Sequence, residues 1–268
     1  MCRFISTRCS KEGVALYYRD EADGNYYRCQ SEVVDPRSLT ETLSSMAGNG
    51  AFFAFESELY PQLAPDTLLL SAMPSLSVYT ATNPVGGGQE DLESILQDLG
   101  FPLNSTNFYP TDVLVARNED DSVRLSDRGV AVYTAGEGSD RFAVSGEGET
   151  APLLDSVEMC RQLAIATLAP RCGEARLYLM SATATDSGWE IEFGYSLNGI
   201  PVRLEEGYAA RFVVEGSSVT QFTLHFRSYT SNGTTSTVLP VRQAAAALVA
   251  QGLAGEELTL IYPDSGGD

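Results

Sequence analysis

The chain has 268 residues with 36 acidic and 17 basic side chains, a formal charge of −19, and 43% of it is apolar. That apolar share is too high for an acidic disordered tail, and the length is enough to bury a sizeable core. The charge repels phosphate backbones and anionic lipid, which disfavours nucleic acid as a partner. No stretch approaches the ~18 apolar residues of a spanning helix.

Two β-prone runs, Val14 to Tyr18 and Tyr26 to Cys29, flank an acidic stretch ending in Asp23-Gly24 and predict a hairpin. Asp35-Pro36 then supplies an N-cap and a first-turn proline for a helix. Leu39, Leu43 and Met46 form its apolar spacing, and Gly48 ends it. Short strands come next, at Ala51 to Glu56, Thr67 to Leu70 and Leu76 to Thr80. After the connector at 83–88, Leu92, Ile95, Leu96 and Leu99 mark one face of a helix closed by Gly100. Val113 to Ala116, Ser122 to Leu125 and Val130 to Thr134 read as an antiparallel meander, and a helix at about 152–168 carries Val157, Cys160, Ala164 and Leu168 as its core stripe.

The clearest alternation sets Trp189, Ile191, Phe193, Tyr195 and Leu197 against Glu190, Glu192, Gly194 and Ser196, with Asn198-Gly199 as the return turn. Strands at Tyr208 to Glu215 and Val219 to Tyr229, a helix from Pro240 to Gly252 and a strand at Leu258 to Tyr262 complete the pattern. The order predicts an α+β fold of antiparallel sheets with packed helices, in two consecutive α+β domains. Their expected limits are 1–98 and 99–268, the latter split into a small meander (99–150) and a helix plus sheet (151–268).

The chemistry-bearing residues are sparse. Every basic residue but Lys11 is arginine, and His225 is the single histidine. His225 falls on a strand face with Thr223 and Arg227, opposite Phe222, Leu224 and Phe226, which predicts an exposed histidine. The five cysteines, at 2, 9, 29, 160 and 172, form no C-x-x-C pair, so no metal site is expected. A Cys9–Cys29 or Cys160–Cys172 disulfide is open to an oxidising compartment. Asn118-Glu-Asp-Asp121 is the densest acidic group and reads as a solvated hairpin turn. No catalytic or cofactor-binding set emerges. Arg211, His225, Arg227 and Tyr229 are the candidates for protein interaction, on an uncovered sheet face.

Two groups of motifs go further. Leu99-Gly-Phe-Pro-Leu-Asn-Ser-Thr-Asn-Phe-Tyr109 with Val123-Arg-Leu-Ser-Asp-Arg-Gly-Val-Ala-Val-Tyr133 resembles the YycH/YycI family of bacterial regulators. So does Ile191-Glu-Phe-Gly-Tyr-Ser-Leu-Asn-Gly-Ile-Pro-Val202 with Gly207-Tyr-Ala-Ala-Arg-Phe-Val-Val214. The resemblance covers roughly residues 99–268, and 1–98 more weakly. It implies a non-enzymatic, extracytoplasmic module that modulates a membrane sensor histidine kinase of a two-component system. It also implies attachment to the cell membrane through an N-terminal helix absent from this chain. The alternatives are a cell-envelope peptide- or saccharide-binding domain with an aromatic groove, and a carboxylate-dependent hydrolase with two inward acids.

Overall fold

The computed structural model describes residues 2–10, 13–20, 23–31, 33–46, 50–70, 75–110, 113–146 and 150–266. Lys11 and Gly48 lie outside the described residues. In chain order the elements are β1 (Cys2–Ser10), β2 (Gly13–Asp20), β3 (Tyr26–Ser31), α1 (Pro36–Ser44), β4 (Ala51–Phe53), β5 (Leu68–Leu70), β6 (Ser75–Thr82), α2 (Gln89–Asp98) and β7 (Asn107–Pro110). Next come β8 (Leu114–Asn118), β9 (Asp121–Leu125), β10 (Val130–Thr134), α3 (Leu153–Thr167), β11 (Arg176–Ala184), β12 (Gly188–Leu197) and β13 (Ile200–Leu204). The last are β14 (Ala210–Glu215), β15 (Ser218–His225), β16 (Ser228–Thr237), α4 (Val241–Ala250) and β17 (Tyr262–Asp264). Mixed α+β architecture with mainly antiparallel pairing is therefore observed.

Packing divides the chain into two units, Met1–Pro74 with Val238–Thr259 and Ser75–Thr237 with Leu260–Asp268. The sequence boundary at 98/99 does not coincide with this division. β6 pairs with β16, and α2 buries Leu92, Ile95 and Leu96 in the second unit's core, so 75–98 belongs to the second unit. α4 returns to the first unit, where Ala245 packs with Ala54, Leu63 and Leu69.

In the first unit, β1, β2 and β3 form an antiparallel sheet in that order. The expected β2–β3 hairpin is present: Asp20 N–H donates to the Asn25 carbonyl at 2.9 Å, and Tyr18 stacks on its cross-strand partner Tyr27. Asp35 caps α1 by accepting from Ser38 N–H at 2.9 Å. The apolar spacing of α1 forms the helix without burying it, and Leu43 and Met46 stay exposed. The strand expected over 51–56 stops at Phe53. Ala54–Glu56 curls into a 3₁₀ turn because the Glu56 carboxylate accepts from Phe53 N–H at 2.7 Å.

The second unit is built on a ten-stranded sheet in the order β17-β13-β12-β14-β15-β10-β9-β8-β7, with β11 also paired to β12. Asn198 (φ 51°) and Gly199 (φ 82°) make the β12–β13 turn, where two successive positive φ values suit Asn-Gly. α2 ends as its sequence predicts. Gly100 takes φ 74°, its N–H donates to the Gln97 carbonyl, and Phe101 N–H donates to the Leu96 carbonyl, closing a Schellman motif.

Register makes the two sheet faces unequal. Ala116, Val123, Tyr133, Phe222, Phe212 and Ile191 are successive cross-strand partners and all are buried, beneath α2 and α3. The neighbouring row runs from Arg117 through Ser122, Thr134, Gln221, Val213 and Glu190 to Thr183, and every member is half-buried or exposed. Side chains of successive strand residues point to opposite faces, so helices cover one face and the other is open.

Two strand limits differ from expectation. The run Val219 to Tyr229 breaks after His225. Phe226 N–H donates to the Gly129 carbonyl, and β16 then pairs with β6 instead of continuing the large sheet. The final strand is Tyr262–Asp264, not Leu258 to Tyr262, and it pairs in parallel with β13. Leu258 instead packs on the first unit's core.

Candidate functional site

The four residues singled out from sequence fall into two clusters. Arg227 and Tyr229 meet at Asp264. The Arg227 guanidinium donates through Nε (2.9 Å) and Nη2 (3.0 Å) to the two carboxylate oxygens, and Tyr229 Oη donates to Asp264 Oδ2 at 2.8 Å. Gly266 N–H adds a donor to Oδ1 at 3.0 Å. The Arg227 and Asp264 side chains are only 7% and 6% exposed, so neither Arg227 nor Tyr229 offers the accessible surface expected of it. Burial works to raise the Asp264 carboxyl, but the Arg227, Gly266 and Tyr229 donors outweigh it and hold it below the ordinary carboxylate value. Tyr229 also packs edge-on against Tyr195, whose hydroxyl donates to the His225 carbonyl at 2.9 Å. This is an internal brace that ties the strand end to the last strand.

Arg211 and His225 share the open face, since Arg211 is the cross-strand partner of Thr223, two residues before His225. Arg211 pairs with Glu190 of β12, both partly exposed, while its Nε finds no acceptor. His225 is not the exposed residue its alternation predicts: it is 8% exposed. The Tyr208 ring lies edge-on at 5.3 Å and Glu206 Oε2 is 3.9 Å from Nδ1, so the 205–208 turn closes over a position that strand periodicity leaves open. Nε2 has no hydrogen-bond partner. Desolvation lowers the imidazole pKa from 6.5 against the opposing pull of Glu206, which keeps the ring neutral near pH 7.

A third cluster, the acidic turn that its sequence places in solvent, is only half exposed. Glu119 and Asp120 are open to water, but Asn118 and Asp121 are 4% and 3% exposed. Arg141 Nε donates to Asp121 Oδ2 at 2.7 Å, its Nη2 donates to Asn118 Oδ1, and its guanidinium lies 4.1 Å over the Phe101 ring. Gly136 N–H donates to Asp121 Oδ1 at 2.8 Å. Buried ions persist when paired in this way, and the pair staples the β8–β9 turn to the 136–141 loop. The two segments border a cleft of about 640 Å³ lined by Glu119, Asp120, Glu137, Asp140 and glycine backbone. Its lining does not supply the Tyr or Trp surface that saccharide stacking requires. Asp121 is held below the ordinary carboxylate value by the Gly136, Arg141 and Ser139 contacts despite its burial, so it is an ionised brace rather than a proton donor.

The two buried cysteines, Cys160 and Cys172, serve packing. Cys29, Cys160 and Cys172 are free thiols, so neither of the two disulfides that the sequence leaves open is formed. Burial pushes Cys160 up to about 12, and the Cys172 thiol donates to the Ala175 carbonyl. Among the described residues, no three His, Cys, Asp or Glu side chains converge as a metal-ligand set, and no helix is long and apolar enough to cross a membrane.

Asp264 and Arg141 escape sequence reasoning because each pairs with residues far away in the chain. A usable signal exists for the first. Arg227 lies between Phe226 and Tyr229, both core-type residues, and an arginine so placed needs a carboxylate. No family model, no curated protein and no solved structure matches the chain.

Proposed function

We propose that this chain is a non-enzymatic interaction module that binds another protein through the open face of its ten-stranded sheet. The observation that carries the reading is the one-sided helix cover, which leaves the row from Arg117 to Thr183 accessible while the adjacent row is buried. That face is also polarised. Arg117 and Arg124 stand exposed on β8 and β9, and Glu190 and Glu192 stand on β12. A face charged in this manner orients a partner more than it tightens the complex. Arg211 belongs to this surface through its pair with Glu190. His225 supports it from beneath the 205–208 turn, and Arg227 and Tyr229 brace its far end.

The partner class comes from the YycH/YycI resemblance: the extracytoplasmic part of a membrane sensor histidine kinase in a two-component system. The resemblance rests on residues 99–109, 123–133, 191–202 and 207–214, which include most of β9, β10, β12 and β14 of the open face. Extracytoplasmic location and attachment to the membrane by a preceding helix are part of the same proposal.

Photo-crosslinking residues placed in living cells at Thr134 or Gln221, with Gln97 on the outer side of α2 as the control, test both levels. The expected result is a histidine-kinase adduct from the sheet positions and none from Gln97. Adducts confined to Gln97 overturn the surface, and adducts from the sheet to proteins other than a kinase overturn the partner.

A further inference from the structure

α3 presents two faces. Ser156, Cys160, Leu163, Ala164 and Thr167 are buried. At about 100° per residue, Leu154, Glu158, Arg161 and Ile165 fall in one stripe on the far side. Leu154 is 78% exposed and Ile165 41% exposed. Arg161 donates to Glu158 through Nε (2.7 Å) and Nη2 (2.6 Å), in a pair whose side chains are each nearly half exposed.

The order along this stripe is apolar, acidic, basic, apolar, and the spacing between Leu154 and Glu158 equals that between Arg161 and Ile165. An identical helix laid antiparallel, with a two-fold axis midway between Glu158 and Arg161, meets it in register. Leu154 then falls against Ile165 of the second copy, and Glu158 against Arg161 of the second copy. An isologous contact requires a patch that complements itself under a two-fold axis, and this patch does so in both charge and shape class. Alternating steps of four and three residues are those of a coiled-coil seam.

We propose that α3 forms the contact between two copies of this chain, as an antiparallel helix pair with Leu154 on Ile165 and Glu158 on Arg161 across the axis. α3 has 15 residues, about 22 Å of helix, so the contact is smaller than the ~1,200 Å² or more of a stable interface, and the dimer is weak and concentration-dependent. Arg161 and Gln162 hold the Glu158 carboxyl down at about 2, so the charge pairing persists in mild acid. The proposal is independent of the sheet-face reading, because α3 covers the opposite face of the sheet.

Sedimentation of the full chain from micromolar to millimolar concentration tests it. The wild type is expected to move from monomer toward dimer. Arg161→Glu sets like charges against each other at both symmetric positions and is expected to weaken the dimer by about tenfold or more. Glu158→Arg combined with Arg161→Glu restores it to within a few-fold. Because these positions are exposed, circular dichroism of all the variants stays unchanged. In a background with Cys2, Cys9 and Cys29 all changed to Ser, Leu154→Cys and Ile165→Cys chains crosslink when mixed and not when alone. A wild type that stays monomeric at millimolar concentration overturns the proposal. So does a dimer indifferent to the charge swap, or one in which Leu154→Cys crosslinks to itself.

Discussion

In the second unit, Phe222 lies among Tyr133, Phe142 and Phe212 with ring centroids 4.8 to 5.9 Å apart, within a continuous core that runs from α2 to β17. In the first, the buried cluster among the described residues is Ala54, Leu63, Leu69 and Ala245, with Phe52, Tyr60 and Leu248 at its margin. The first unit relies more on polar devices: two local ones, the Asp35 cap and the Glu56 turn, and the long-range Arg19–Asp66 pair at 2.7 Å. Hydrophobic stabilisation grows with buried area, so the unit with the small core should open first, and its local bonds fix shape more than they add depth of stability.

The largest expected effect sharpens this contrast. Phe222→Ala should cost about 3–5 kcal/mol, whereas Leu69→Ala should cost nearer 2 kcal/mol. Trp189, the chain's single tryptophan, lies in the second unit with its Nε1 donating to the Ala151 carbonyl. Its fluorescence should therefore follow Phe222→Ala and ignore Leu69→Ala, while far-ultraviolet circular dichroism registers both. A shift of both signals by Leu69→Ala would break the distinction between the units.

Within the second unit two of the arginine pairs, Arg227–Asp264 and Arg211–Glu190, differ in the same sense. Asp264→Ala strips the buried Arg227 of its carboxylate and should cost about 3 kcal/mol. Glu190→Ala removes the half-exposed partner of Arg211 and should cost under about 1 kcal/mol. Urea midpoints at fixed slope measure both, and equal losses would contradict the burial argument.

The gentlest effect is a pH slope. His225 titrates below 6.5 when folded, so the unfolded chain takes up its proton first as pH falls. The stability it contributes is complete above pH 6.5 and is lost as pH drops through the folded value. His225→Gln should flatten stability over that window. Asp264 and Asp121, held below the ordinary carboxylate value of 3.8, lose their contribution with the same sign at lower pH. A His225→Gln chain with an unchanged slope between pH 7 and 5 would remove the imidazole from the account.

The local elements are legible because a strand repeats every two residues and a helix every 3.6. Alternation at 189–197, the α2 stripe closed by Gly100 and the Asp23-Gly24 hairpin are each visible within one short stretch of chain. Pairing between distant segments is not. β6 finds β16, and β13 finds β17 in parallel, through contacts that no local pattern encodes. The candidate residues fail for a related reason. Alternation assigns His225 and Arg227 to a polar face only while that face is open, and beyond Leu224 both sides are covered, by the 205–208 turn at His225 and around Asp264 at Arg227. Arg211, farther back on the sheet, keeps the partial exposure that the pattern assigns it.

The interleaved path of the chain also constrains how it is made. A nascent polypeptide that has reached Thr237 holds every strand of the large sheet except β17 and lacks the whole of α4. The small core then waits for Ala245, and the brace at Arg227 and Tyr229 waits for Asp264. Neither unit can complete itself on the ribosome before those residues emerge, so the interval until they do is when the chain is most exposed to proteases and to chaperones.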